Sequence, residues 1–225
     1  MKLIEFPDRD ALMSALASAV AEDLKDALAK QGWASLAVPG GSTPGPFFDQ
    51  VNQAELDWEN IHVTLGDERF VPEHSDRSNT ALLKKRLLQN QASKANLIPL
   101  YQKAERPEDV LKALSAQFEP VLPLSVNVLG MGADMHTASL FPDSAELEGA
   151  LESDAILSVV RPISQPEARL TLAGKVLAGA GAIYVLITGE EKRKAIEAAS
   201  AINDPMVAPI SLVLGLPQTR VYYAA

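Results

Sequence analysis

The residues with the most chemical potential sit in one short stretch, Gly130-Met131-Gly132-Ala133-Asp134-Met135-His136-Thr137-Ala138-Ser139. It places a histidine two residues after an aspartate, in a glycine-bearing turn that follows an apolar run. Such an aspartate can orient the imidazole through one ring nitrogen, or can contact a substrate itself. The other ring nitrogen is then free to take a proton from water. A lone histidine is more often structural than catalytic, but the neighbouring carboxylate and the loop position favour His136 as a general base. His62 and His74 read as a strand residue and a surface-loop residue, and three scattered histidines offer no metal-ligand spacing. The chain has no cysteine. Thiolate nucleophiles, disulfides and zinc–sulfur sites are therefore excluded. No G-x-S-x-G elbow is present, so a serine acyl-enzyme has no support.

A second set of residues suits an anion. In Val38-Pro39-Gly40-Gly41-Ser42-Thr43-Pro44, two glycines let the backbone turn sharply and approach a ligand. Ser42 or Thr43 is placed to cap the helix that Pro44 helps open, leaving free N–H groups aimed at a phosphate. An ordinary strand–helix turn would read the same way in isolation. Gly66-Asp67-Glu68-Arg69 sets two acids and an arginine directly after an apolar strand. Arg69 can hold phosphate as a two-pronged donor, and Asp67 can accept from a sugar hydroxyl. A solvated turn with a local ion pair fits the same residues. Arg161, Arg169 and Lys192 are the remaining basic candidates. Lys192 falls in the first turn of a predicted helix, where the dipole disfavours a cation unless an anion is also there. Neither the Lys-bearing P-loop nor the dinucleotide fingerprint occurs, so nucleoside triphosphates and NAD are not indicated.

These loops must be held by a regular frame. Short apolar runs at Ser35–Val38, Ile61–Leu65, Ser125–Leu129, Ile156–Val160, Ile183–Thr188 and Arg220–Tyr223 predict strands. Helical periodicity lies between several of them. Asp8 is placed as an N-cap, Leu12, Leu16, Ala19, Val20 and Leu24 form one stripe, and Gly32 stops the helix. Residues Asn79–Leu88, Pro107–Phe118 and Glu190–Ser200 predict further helices. The alternation implies an α/β fold with a mostly parallel sheet covered on both faces. In such sheets ligands sit beyond the carboxyl ends of the strands, so the loops above should share one rim. With 225 residues, 47% apolar and no linker or repeat, one domain over residues 1–225 is expected. A net charge of -9 argues against nucleic acid and anionic membrane as partners, and requires any bound phosphate to be met by locally gathered cations. No signal-like or membrane-spanning run is visible, which makes the cytoplasm the expected location.

The motifs taken together resemble the 6-phosphogluconolactonase branch of the glucosamine-6-phosphate isomerase/6-phosphogluconolactonase superfamily. They are Gly40–Pro44, Asp67-Glu68-Arg69-Phe70-Val71-Pro72, Ser78-Asn79, Gly130-Met131-Gly132, Asp134 and His136-Thr137-Ala138-Ser139-Leu140-Phe141-Pro142. Arg169–Leu172, Gly189 with Lys192, and Pro209 with Ser211 continue the series, so the likeness spans roughly residues 38 to 213 in family order. It implies a three-layer α/β sandwich and hydrolysis of a phosphorylated sugar lactone, a step of the oxidative pentose phosphate pathway. His136 would be the base, with Asp134 beside it. Gly40, Gly41, Ser42, Thr43, Asp67, Arg69, Gly132, Arg169 and Lys192 would bind substrate and its phosphate. No metal or organic cofactor and no obligate protein partner is implied. Three positions depart from the family pattern. Met135 stands where glycine is usual, Pro39 where serine is common, and Ala208-Pro209-Ile210-Ser211 is looser than the usual Pro-Ala-Ser. Isomerases and deaminases of the superfamily carry a catalytic Glu at the fifth position after the histidine, which here is Phe141. A sugar-phosphate sensor is the other alternative, and such proteins usually carry a second domain for which no segment is evident here.

Overall fold

The computed structural model describes residues 1–225. Its strands in chain order are β1 (Leu3–Glu5), β2 (Ala34–Val38), β3 (Ile61–Leu65), β4 (Asp67–Arg69) and β5 (Asn96–Leu97), then β6 (Val126–Leu129), β7 (Leu157–Val160), β8 (Arg169–Leu172), β9 (Ala182–Thr188) and β10 (Thr219–Ala224). The helices are α1 (Arg9–Gln31), α2 (Gly45–Val51), α3 (Asn79–Arg86) and α4 (Leu111–Phe118), followed by α5 (Leu147–Glu152), α6 (Gly174–Ala178), α7 (Glu190–Ile202) and α8 (Ser211–Leu214). Seven strands form one sheet in the order β1-β10-β9-β6-β2-β3-β5, and every neighbouring pair is parallel.

Helices cover both faces of this sheet, and successive tyrosines on β10 show it. Tyr222 packs edge-on against Tyr184, whose hydroxyl donates to Asp23 of α1. Tyr223, which must point the other way along a strand, lies beneath the guanidinium of Arg193 on α7. Asn127 of β6 shares that second face and donates to the Leu177 carbonyl of α6. Sheet and helices thus make a three-layer α/β sandwich, and the apolar residues between them form one continuous core. β2 is buried at all five positions, as expected of a central parallel strand.

Local signals act where they were expected. Asp8 Oδ1 accepts the Ala11 N–H at 2.7 Å, and Gly32 closes α1 at φ 79. The helix expected over Pro107–Phe118 instead begins as a 3₁₀ turn, Pro107–Val110, before α4. β7 does not join the parallel sheet. It pairs antiparallel with β8, and β8 with β4, in a separate three-stranded sheet. The connection from β7 to β8 is only residues 161–168, too short for a parallel crossover, so the chain must turn back as a hairpin.

Candidate active site

The loops after β2, β3, β6 and β9 meet at one rim of the parallel sheet, around a cleft of about 250 Å³. His136 lines this cleft. Its Nδ1 lies 2.5 Å from Asp134 Oδ1, and its backbone N–H approaches the same oxygen at 3.3 Å. Burial alone would raise the Asp134 carboxyl; the hydrogen bond and charge of His136 outweigh that and hold it below the ordinary value. An ionised carboxylate only accepts, so Nδ1 carries the proton in the neutral ring and Nε2 keeps its lone pair. Phe141 stacks on the imidazole, with centroids 3.9 Å apart and planes 19° from parallel.

The turn that shapes this pair is tight. Gly132 donates to the His136 carbonyl at 2.9 Å, and Met135 donates to the Gly132 carbonyl at 3.1 Å. A Cβ on Gly132 would collide with both the imidazole and the Asp134 carboxylate. Met135 adopts φ 66, and its carbonyl accepts the Ile210 N–H, which ties the turn to the segment before α8. The position therefore has the left-handed backbone that favours glycine.

Free backbone donors and cationic side chains line the rest of the cleft. The N–H groups of residues 40–43 donate to no other protein group, forming a short run of free donors. Gly41 has φ 84, and a side chain on Gly40 would overlap Asn79. Ser42 and Thr43 do not cap α2. Pro44 holds the cap position without a side-chain hydrogen bond, and the exposed Ser42 is not among the lining residues. Arg69 and Arg169 stand directly opposite each other in the β4–β8 register and both line the cleft. Like charges placed this way repel unless something negative lies between them. Both Nε atoms are buried without a partner. Burial, chiefly, pushes the Arg169 guanidinium below its ordinary pKa, and the charge of Arg69 adds to that.

Lys192 comes from the first turn of α7 and makes no ion pair, whereas Arg193 beside it is taken up by Glu5 and Glu197. Arg161 is not brought in: it pairs with Glu108 at an exposed position. His62 lies half-buried in β3 and His74 is exposed in a loop. Asp67 lines the cleft yet is 6% exposed, because its Oδ2 takes the Ser139 hydroxyl and faces Arg169.

Two further residues stand in the motifs but were given no role from the sequence. Glu68 is fully buried and accepts from the backbone of Arg69, Asn79 and Thr80 and the hydroxyls of Ser78 and Thr80, fixing the start of α3 to β4. Asn79 then donates to the Asp67 carbonyl and borders the cleft. The signal was the Ser78-Asn79-Thr80 run, a helix start rich in donors with no acid of its own.

Fold and cleft together define an α/β protein that can hold a small anion beside an imidazole arranged to accept a proton. The profile of the glucosamine-6-phosphate isomerases/6-phosphogluconolactonase family matches residues 7–222, and the chain belongs to that family. A 6-phosphogluconolactonase of Mesorhizobium japonicum is 46% identical over 199 residues, 87% of this chain and 84% of the relative. One from Pseudomonas aeruginosa is 41% identical over 212 residues, 92% and 89% of the two chains. The crystal structure of a 6-phosphogluconolactonase from Shewanella baltica matches with a TM-score of 0.97 at 36% identity, covering 100% of this chain and 98% of that one. A monomeric glucosamine-6-phosphate deaminase, 18% identical with a TM-score of 0.83, shares the fold.

Proposed function

We propose that the chain is a 6-phosphogluconolactonase, hydrolysing 6-phospho-D-glucono-1,5-lactone to 6-phosphogluconate in the oxidative pentose phosphate pathway. The observation that carries this reading is the joint placement, on one cleft, of an Asp134-held imidazole and two opposed arginines with free Nε–H groups. The names of relatives at 41–46% identity support it. Residues 1–225 act as one domain, as the single core suggests.

His136 Nε2 takes a proton from water as the water oxygen attacks the C1 carbonyl. Asp134 holds the imidazolium that forms, as the carboxylate of a triad does. When the tetrahedral adduct collapses, the C1–ring-oxygen bond breaks and the imidazolium returns its proton to the departing oxygen. The product carboxylic acid then ionises. Phosphate on C6 is remote from the reacting carbon, so its binding to residues 40–43, Arg69, Arg169 and Lys192 serves to orient the lactone.

Phe141 speaks against isomerase or deaminase chemistry: an apolar ring stacks on His136 where those enzymes carry a carboxylate. The deciding assay follows lactone hydrolysis above the spontaneous rate, with glucosamine 6-phosphate in parallel. Turnover of the amino sugar, or none of the lactone, overturns the proposal.

A further inference from the structure

Ser139 lies on the same loop as His136, yet it is fully buried and its hydroxyl bonds to Asp67 rather than to the imidazole. Its Oγ donates to Asp67 Oδ2 at 2.5 Å, and Arg169 Nη1 lies 3.5 Å from both of those oxygens. Its backbone N–H reaches Thr171 Oγ1 of β8 at 3.3 Å. Ser139 therefore touches three segments at once: the base-bearing loop, β4 through Asp67, and β8 through Arg169 and Thr171. At 3.5 Å the guanidinium is held by charge more than by a close hydrogen bond. What the hydroxyl fixes is the direction of Oδ2, the negative atom that faces Arg169. The other side of the guanidinium is pinned independently, Nη2 donating to Gln165 Oε1 at 2.5 Å.

The geometry points to Ser139 as a positioning residue for the phosphate-binding Arg169, acting through Asp67, and not as a partner of the base. The assignment rests on the lactonase reading. Without the Ser139 hydroxyl, Asp67 Oδ2 is free to rotate, and Arg169 loses the fixed counter-charge that offsets its repulsion by Arg69. The consequence is specific to phosphorylated substrate. A role in supporting the loop as a whole would disturb His136 and harm plain gluconolactone equally.

A double-mutant cycle tests this. Ser139→Ala should lower kcat/KM for the phosphorylated lactone by about tenfold, the order lost when a group orienting a ligand-binding side chain is removed. In an Arg169→Ala background the same substitution should cost less than about twofold, because its route of action is gone. The ratio of kcat/KM between phosphorylated and plain lactone should fall in step. Equal losses in both backgrounds, or an unchanged ratio, overturn the assignment. Should Ser139→Ala not fold, Ser139→Cys, which keeps the shape but replaces the hydroxyl by a weak S–H donor, enters the same cycle with the same expectations. Calorimetric Kd values for 6-phosphogluconate repeat the cycle without turnover. A wild type that binds the product with Arg169-dependent coupling to Ser139 but hydrolyses nothing refutes the lactonase reading alone; additive Kd changes refute the Ser139 assignment alone.

Discussion

The imidazole of His136 lies against the α-carbon of Gly132, in the space that a Cβ there would fill. The φ of Gly132 is not in the left-handed region, so alanine is acceptable to the backbone and only the space is at issue. Gly132→Ala must push the imidazole and Asp134 carboxylate aside. A displacement near 1 Å in a catalytic group can cost about 10²-fold in rate. The expected outcome is a loss of that order in kcat with the thermal midpoint little changed, since the turn is not in the core. Wild-type turnover would show that the pair has room to move without consequence.

Removing the proposed base itself gives a sharper test. His136→Asn should lower kcat by about 10²–10⁴-fold, the usual worth of a positioned general base. Circular dichroism and the thermal midpoint should stay close to wild type, because the side chain is partly exposed on a loop. Retention of near-normal turnover would remove His136 from the mechanism.

The depressed Asp134 pKa makes a prediction about stability. The carboxyl is more acidic folded than unfolded, so its contribution is fully present above the unfolded value of about 3.9 and is lost as pH falls through the lower folded value. Because the group is partly exposed, the effect is small. Midpoints measured from pH 7 downward should show Asp134→Asn below wild type near neutrality, with the two converging in acid. A gap that widens in acid would contradict the hydrogen-bond assignment.

Met135 occupies a left-handed position at φ 66, where a non-glycine residue costs on the order of 1 kcal/mol. Its side chain packs on the core, which offsets part of that cost. Met135→Gly should leave activity equal or higher and shift stability by about 1 kcal/mol at most, of either sign. A large loss of activity would mean that the thioether supports His136 or touches substrate.

How far these features could be read from the sequence depends on how local their causes are. α1 was fully legible because Asp8, its apolar stripe and Gly32 all act within one element. The five parallel strands β2, β3, β6, β9 and β10 were legible as apolar runs buried on both faces. β4 was not. Asp67-Glu68-Arg69 is wholly charged and has no strand pattern; it is a strand only because β8, a hundred residues later, supplies its ladder. Separation of about a hundred residues also hid the Arg69–Arg169 opposition, and separation of 72 hid the link from Ser139 to Asp67. The acceptor role of Glu68, by contrast, is local, its partners lying within 12 residues. The free N–H run at residues 40–43 followed from the glycines, whereas its expected Ser or Thr cap failed because Pro44 took the cap position.

That opposition of Arg69 and Arg169 sets the prediction for phosphate. Each charge-assisted hydrogen bond to phosphate is worth roughly 1.5–3 kcal/mol, so loss of the whole group should cost several orders of magnitude in kcat/KM. Plain gluconolactone should accordingly be a very poor substrate for the wild type. Arg69→Ala, Arg169→Ala and Lys192→Ala should each raise KM for the phosphorylated lactone, and lower kcat as well where phosphate binding orients the ring. The net charge of -9 sharpens the comparison, since no general attraction for anions masks the loss of a specific cation. Stability offers a second readout. At about 100 times its Kd, 6-phosphogluconate should add about 2.7 kcal/mol to the wild type, and less at the same concentration to each variant. Equal hydrolysis of both lactones by the wild type would place the phosphate site elsewhere. A phosphorylated-to-plain ratio that survives all three substitutions would leave a phosphate site in existence but assign it to other residues.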